Sequence, residues 1–393
     1  MSESKFYPIE LAFKSAKSSN KEEVFLRTFD SYSFERSLLS PASAFRFTAP
    51  GVDKDLRMSI RSGDTVFLYG SNSKGKRIPI AVGIVDETDT HVNASRLEYV
   101  ISGRDLMGQF VDNSVVDSNN AIQFMQKASI EGILKLLLTD TRLPQTISIQ
   151  GYPPTAQFLF QTNVGETKIN ALQRYLEMAN CLVWCGPSGQ VILGKPNFSQ
   201  APMGRFICSD DPKVRSANNV IDARVRRNVN GAIRKIVTQL QTMDKVPPSS
   251  FTLNNMDPDV RALSSAKVGR SVYELFSYGS GAEAYNQIFQ IGNSDGAPKT
   301  IGEALSMRKL ARENMSVLDV ELIVEGHFNA LDIPYDVDQI YSVRIDDENL
   351  NEDLYVYSVG YDLTGDHGMM THLRLCRRNT ICADVPVING GRQ

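Results

Sequence analysis

The sequence predicts a mixed, β-dominated (α+β) protein in which two β-barrel-like domains flank a small α/β domain. Two observations carry that reading. Short runs of strand-forming residues, bounded by Gly, Pro, Asn and Asp, recur up to about residue 115 and again from about residue 206. Between them the hydrophobic spacing changes to that of a helix. At 393 residues the chain is also too long for one ordinary core. The expected division is a first barrel over 1–115, an α/β insertion over 116–205 and a second barrel over 206–393.

In the first block, Val24–Phe34 places Phe25, Phe29, Tyr32 and Phe34 among polar residues, and Phe45–Thr48 follows Ser-Pro-Ala-Ser. Gly63-Asp64 turns into Thr65–Tyr69, Ile78–Val85 returns, and Arg96–Ile101 closes the series. In the second block, Ile130, Ile133, Leu134, Leu137 and Leu138 recur at helical spacing, as do Ile169, Leu172, Leu176 and Ala179. Cys181–Trp184 and Val191–Leu193, around Gly186-Pro187-Ser188-Gly189, read as a hairpin beside the second helix. In the third block, Asn228-Val229-Asn230-Gly231 predicts a hairpin between Val220–Arg226 and Ala232–Leu240. The stretch 243–299 has weak periodicity and one strand candidate, Tyr273–Ser277. Thr300-Ile301-Gly302-Glu303 is a capping box opening a helix through Asn314. Leu318–Glu325, Ile340–Ile345, Leu354–Asp362 and Met370–Cys376 read as four more strands.

Composition narrows the function. The net charge of −3 gives no global attraction to nucleic acid or anionic membrane. No apolar run approaches a membrane span, and Met1–Lys14 shows no secretion signal. The expectation is a chain folded in a cytoplasm and not inserted in a membrane. Five cysteines, an odd number, argue against a disulfide framework. Cys181 and Cys185, four residues apart on a strand, place their Cα atoms about 13 Å apart, too far to bridge. Cys376 and Cys382 have no neighbours at ligand spacing, so structural cysteines are expected.

Several segments imitate active sites. Gly70-Ser-Asn-Ser-Lys-Gly75-Lys76-Arg77 approaches a phosphate-binding loop, but Arg77 stands where a hydroxyl residue is needed and a strand follows instead of a helix. A basic hairpin loop is the reading it supports. Asp346–Asp353 is acidic but lacks the glycine and terminal Glu of a calcium loop, and reads as an exposed hairpin tip. His367 and His372 lack the spacing of a metal site. No nucleophile or zinc signature occurs, although linear sequence leaves carboxylate pairs open. Catalytic residues, metal ligands and cofactors are therefore expected to be none. The densest basic stretch is Arg224, Arg226, Arg227, Arg234 and Lys235. Alternation points Ile221, Ala223 and Val225 to one face and Asp222, Arg224 and Arg226 to the other. A solvated or inter-subunit face is preferred over a DNA-binding one, because no aromatic platform interleaves with the arginines.

Ser102-Gly103-Arg104-Asp105-Leu106-Met107-Gly108-Gln109-Phe110-Val111-Asp112-Asn113-Ser114 resembles the GRDL…LVD-S signature of the Mu-like phage tail protein family, the baseplate hubs of contractile tails. Glu35-Arg36-Ser37-Leu38-Leu39 and Ala42-Ser43-Ala44-Phe45-Arg46-Phe47 are similar to that family's opening, and Arg61-Ser62-Gly63-Asp64-Thr65-Val66 to its next strand entry. Gly165-Glu166-Thr167, Leu172-Gln173-Arg174 and Gly189-Gln190-Val191-Ile192-Leu193 resemble its central domain. The likeness covers most of 20–200 and the strand order to about 380. It implies a homotrimeric virion protein, assembled in the host bacterial cytoplasm, whose two barrels per chain build a pseudo-sixfold ring. Its implied partners are the sixfold tail tube, a threefold central spike and neighbouring baseplate proteins. Phage DNA would pass the ring's channel without specific binding. The related hub part of type VI secretion spike proteins is often fused to its spike; no β-helical repeats occur here, so a separate spike is expected. The competing functions are a tail-associated cell-wall hydrolase or nucleotide-dependent enzyme, and an OB-like nucleic-acid-binding protein.

Overall fold

The computed structural model describes residues 9–15, 23–94, 96–115, 124–151, 157–163, 165–228, 233–242, 249–254, 270–278, 301–378 and 380–381. The first block contains β1 (Ile9–Lys14), β2 (Val24–Leu26), β3 (Ser31–Ser37), β4 (Ala44–Pro50), α1 (Lys54–Ser59), β5 (Thr65–Ser71), β6 (Arg77–Val92), β7 (Leu97–Asp105) and α2 (Gly108–Asp112). Alternation accounts for most of these strands: β3 buries Tyr32, Phe34 and Arg36, and β5 buries Val66, Leu68 and Gly70. β1, to which the sequence reading assigns no element, is buried on both faces through Ile9, Leu11, Ala12 and Phe13. Continuous burial erases alternation, so its pattern is silent.

The middle block holds β8 (Phe124–Ser129), α3 (Ile130–Leu138), β9 (Ile147–Gln150), β10 (Gln157–Gln161), α4 (Lys168–Met178), β11 (Leu182–Cys185) and β12 (Val191–Gly194). Ser129 and Thr167 cap α3 and α4 with their hydroxyl oxygens. Ile130, Ile133, Leu134, Leu137 and Leu138 meet Ala171, Leu172, Tyr175 and Leu176 in one core. The β11–β12 hairpin forms as read, and β9 joins β12 in parallel.

The remaining elements are β13 (Arg205–Cys208), β14 (Asp222–Arg227), β15 (Ile233–Thr242), β16 (Ser249–Asn254), β17 (Arg270–Tyr278), α5 (Ile301–Asn314), β18 (Leu318–Glu325), β19 (Gln339–Ile345), β20 (Leu350–Thr364) and β21 (Gly368–Arg377). The helix before β18 and the four strands after it are those expected; Thr300 lies outside the described residues. Among the described residues, β14 and β15, the two arms expected of the Asn-Gly hairpin, do not pair with one another; residues 229–232 lie outside the described residues. β14 pairs with β18, whereas β15 pairs with β16 and β17 in a separate sheet. Ala223 and Val225 pack on the main core, while Ile233 and Ile236 meet Met307 and Leu310 of α5. Burial against two different cores overrides the local turn signal.

Strands of the first and third blocks share one thirteen-stranded sheet, in the order β14-β18-β21-β20-β3-β4-β7-β6-β5-β1-β2, with β19 and β13 branching from β20. β20 makes the connection. Its first half, Leu350–Val356, pairs with β19, and its second half, Ser358–Leu363, pairs with β3. The register shifts between Val356 and Ser358, where one strand leaves one partner and takes the next. A single hydrophobic core accordingly draws on Phe34, Phe45 and Phe47 from one side and Tyr341, Tyr355 and Tyr361 from the other.

Glycine permits the tightest approach in this sheet. A Cβ on Gly103 would collide with the Ile84 carbonyl and the Phe45 ring. We expect Gly103→Ala to lower stability by roughly 2–3 kcal/mol in urea denaturation. Gly365→Ala, where a Cβ meets nothing within 4 Å and φ lies outside the left-handed region, should leave the midpoint unchanged.

Candidate functional site

Three of the sequence segments singled out above converge on one buried polar cluster. Arg36, on β3, is 3% exposed. Its Nη1 donates to both carboxylate oxygens of Asp336 at 2.8 Å, its Nη2 to the Ile80 carbonyl at 2.8 Å, and its Nε to Ser43 Oγ at 3.4 Å. Ser43 N in turn donates to Asp105 at 3.0 Å, as does Met107 N. Burial raises the Asp105 carboxyl above its ordinary range, opposed by the Ser43 and Met107 hydrogen bonds. Arg104, the neighbour of Asp105, points outward and clamps Asp86 and Asp112. The chemistry here is structural: a buried guanidinium is neutralised by one carboxylate and held by two oxygens.

Asp336 belongs to the connection between β18 and β19, Gly326–Asp338, which reaches all three blocks. His327 is buried; its Nε2 lies 2.6 Å from the Tyr32 hydroxyl and its Nδ1 2.9 Å from Thr371 Oγ1. Its ring stacks on Tyr361 with centroids 4.5 Å apart. Phe328 packs so closely on Gly70 that a Cβ there would sit 2.7 Å from its ring. Asp332, with φ 60°, accepts from Ser73 N at 3.2 Å and the Ser73 hydroxyl at 2.6 Å. Asp338, with φ 62°, accepts from Gln150 Nε2 at 2.6 Å, Asn197 N at 2.8 Å and the Tyr355 hydroxyl at 2.9 Å. Burial raises the Asp338 carboxyl, and those three donors oppose the rise. This connection therefore staples β3 and the β5–β6 loop to the second half, and the second half to the middle block.

The glycine-rich and the acidic segments both form turns between paired strands, as read from the sequence. Residues 71–77 form the turn between β5 and β6. The amides that would cradle a phosphate are already engaged: Lys74 N and Lys76 N donate to Asn72 Oδ1, and Gly75 N to the Asn72 carbonyl. The acidic run forms the β19–β20 tip, where Asn349 takes φ 48° and Asp346 pairs with Arg344 at 2.7 Å. His372 pairs with Asp362 at 3.0 Å. Cys181, Cys185, Cys208 and Cys376 are in no disulfide among the described residues; burial pushes Cys185 and Cys376 up to about 12, far from thiolate reactivity. Cys382 lies outside the described residues. Among the described residues no three His, Cys, Asp or Glu side chains are placed to hold a metal ion, and no helix is long and apolar enough to cross a membrane. A groove between the 38–41 turn, α4 and α5 measures about 100 Å³, below the roughly 300–1,000 Å³ of small-molecule sites.

The basic stretch is split. Arg224, Arg226 and Arg227 stand exposed on β14, at the end of the large sheet, whereas Arg234 and Lys235 lie on β15 in the other sheet. Sequence reasoning missed His327, Asp336 and Asp338. Their partners lie 17 to 300 residues away, and no local spacing marks them.

No protein-family model matches the chain, and no curated protein sequence does. Solved structures do. A tail protein from Neisseria meningitidis MC58 superposes with a TM-score of 0.70 at 15% identity, covering 96% of this chain and 99% of that one. The 43 kDa tail protein of prophage MuSo2 from Shewanella oneidensis gives 0.65 at 15% identity, covering 94% and 98%. The E. coli c3393 protein, a type VI secretion component described as similar to the phage T4 tail proteins gp27 and gp5, gives 0.52 at 8% identity, covering 93% and 76%. The resemblance to Mu-like tail proteins read from the sequence thus holds at the level of fold.

Two measurements probe the cluster. Removing the Asp336 carboxylate strands a buried guanidinium, so Asp336→Ala should cost about 3 kcal/mol in urea unfolding. Burial pushes the His327 imidazole from its ordinary 6.5 down to about 3. Above pH 6.5 folded and unfolded chains both hold it neutral. As pH falls from 6.5 toward 3 only the unfolded chain takes the proton, so stability falls by up to about 1.4 kcal/mol per pH unit. His327→Gln should flatten that part of the stability–pH curve relative to wild type.

Proposed function

We propose that the chain is a structural hub of a contractile phage tail baseplate, and not an enzyme. The observation that carries the reading is the likeness to tail proteins over nearly the whole of both chains, with 96% and 99% covered in the first of them. In this reading residues 1–115 and 206–393 are two barrel units, and 116–205 is the insertion between them. Three copies form a ring of six such units, which meets the sixfold tail tube on one side and a threefold spike on the other. Phage DNA leaves through the central channel without being bound specifically. The protein acts in the virion, after assembly in the host cytoplasm.

The shared strand β20 supports this role. A hub must transmit load between tube and spike, and here one strand that pairs first with β19 and then with β3, not a flexible linker, joins the two halves. The glycine-rich loop supports the non-enzymatic part, since its amides are satisfied by Asn72 and Asp332.

Light scattering on the purified full chain is expected to give a mass three times that of the 43.6 kDa protomer. A persistent monomer at micromolar concentration that also fails to bind its cognate spike protein would overturn the reading.

A further inference from the structure

We infer that two free strand edges on this chain, the outer edge of β14 and the Glu87–Val92 overhang of β6, pair with one another between neighbouring copies and close the ring. The inference rests on the trimeric reading above and assigns its contact.

Both edges are open among the described residues. β6 pairs with β5 only as far as Ile84, with Val85 held by backbone bonds to Gly63 and Asp64. From Glu87 to Val92 it pairs with β7 alone. β14 pairs with β18 along its six residues and ends the sheet. Unpaired edges of this length are normally covered or blunted. Each edge also ends in an exposed aliphatic residue, Val92 at 64% and Ile221 at 55% exposure.

The residues complement one another from Glu87 to Val92. Laid antiparallel with Val92 opposite Ile221, the edges bring His91 to Asp222, Asp89 to Arg224 and Glu87 to Arg226, while Asp86, at the register shift of β6, stays with Arg104. Thr90 and Thr88 then oppose Ala223 and Val225. Alternation puts Glu87, Asp89 and His91 on one face of β6, and Asp222, Arg224 and Arg226 on one face of β14. All six are exposed. The parallel alignment over these positions sets Glu87 against Asp222 and His91 beside Arg226. Pairing an edge with its own kind is less favourable, because β14 against β14 centred on Arg224 apposes that arginine with itself and β6 against β6 apposes carboxylates. The contact is therefore between two different surfaces of the chain, the type that closes rings and not two-fold dimers. The internal pairs Arg224–Glu321 at 3.7 Å and Arg227–Glu348 at 2.5 Å are exposed and offer little competition.

Light scattering and sedimentation of four full-length proteins test this: wild type, Arg224→Glu/Arg226→Glu, Glu87→Arg/Asp89→Arg, and the quadruple variant. Each double variant should associate at least about tenfold more weakly than wild type; Glu87→Arg/Asp89→Arg should keep the wild-type melting temperature, whereas Arg224→Glu/Arg226→Glu, opposite Glu321 and Asp319 on β18, should lower it modestly while staying folded at the assay temperature. The quadruple variant, with the charges exchanged, should regain the trimer. Should either double variant remain as trimeric as wild type, or the quadruple variant stay dissociated, the edge assignment is wrong while the trimeric reading stands. A monomeric wild type removes the trimeric reading, and the edge contact with it.

Discussion

The pairing of β20 with both β19 and β3 is the constraint from which the rest of the molecule follows. Once Val359 is set opposite Arg36, the alternation of β3 turns the Arg36 side chain into the interior between the two halves. A guanidinium there must be neutralised, because an uncompensated buried charge costs several kcal/mol. Asp336 supplies the bidentate carboxylate, and that fixes the path of the whole connection from Gly326 to Asp338. The left-handed backbone at Asp332 and Asp338 then aims those carboxylates at Ser73 and at Gln150, Asn197 and Tyr355. Backbone register comes first; the polar staples are its consequence.

Much of the fold was legible because it is governed by local period. α3 and α4 follow from apolar residues at helical spacing, the β11–β12 hairpin from its turn, and β18 to β21 from alternation. What was not legible is pairing across the chain. Nothing in Ser358–Leu363 announces that its partner is β3, about three hundred residues earlier. The Asn228–Gly231 signal misled for the same reason: a tight turn proposes a partner, but burial of Ala223 and Ile233 in different cores decides it. His327 was invisible because a single histidine in an irregular segment carries no pattern, and its role exists only through Tyr32, Thr371 and Tyr361.

The short motifs that carried the resemblance acquire a physical account. Arg36, Ser43 and Asp105 come from three separate segments and touch in one cluster. Gly103 is needed where β6 and β7 approach closest, and Arg104 braces the end of α2 through Asp112. Motifs of this kind report folding constraints at a junction, which is why they coexist with a fold match at only 15% identity.

The junction and the surface are mechanically one problem. The acidic overhang of β6 and the basic β14 sit in the two different halves of the sheet, with β20 between them in the strand order. A cyclic contact between different patches closes only if the angle between those patches is fixed; if it varies, each closure must also order the halves, and the entropy of doing so is subtracted from the contact. Exposed charge pairs are too weak to absorb that loss. The buried Arg36–Asp336 pair, the Asp332–Ser73 bond and the Asp338 hub remove the variation within the protomer, before any partner arrives. In the trimeric arrangement proposed above, strong polar bonds inside the chain let weak ones suffice between chains, so that a ring held by such edges would form reversibly and correct its own errors during assembly.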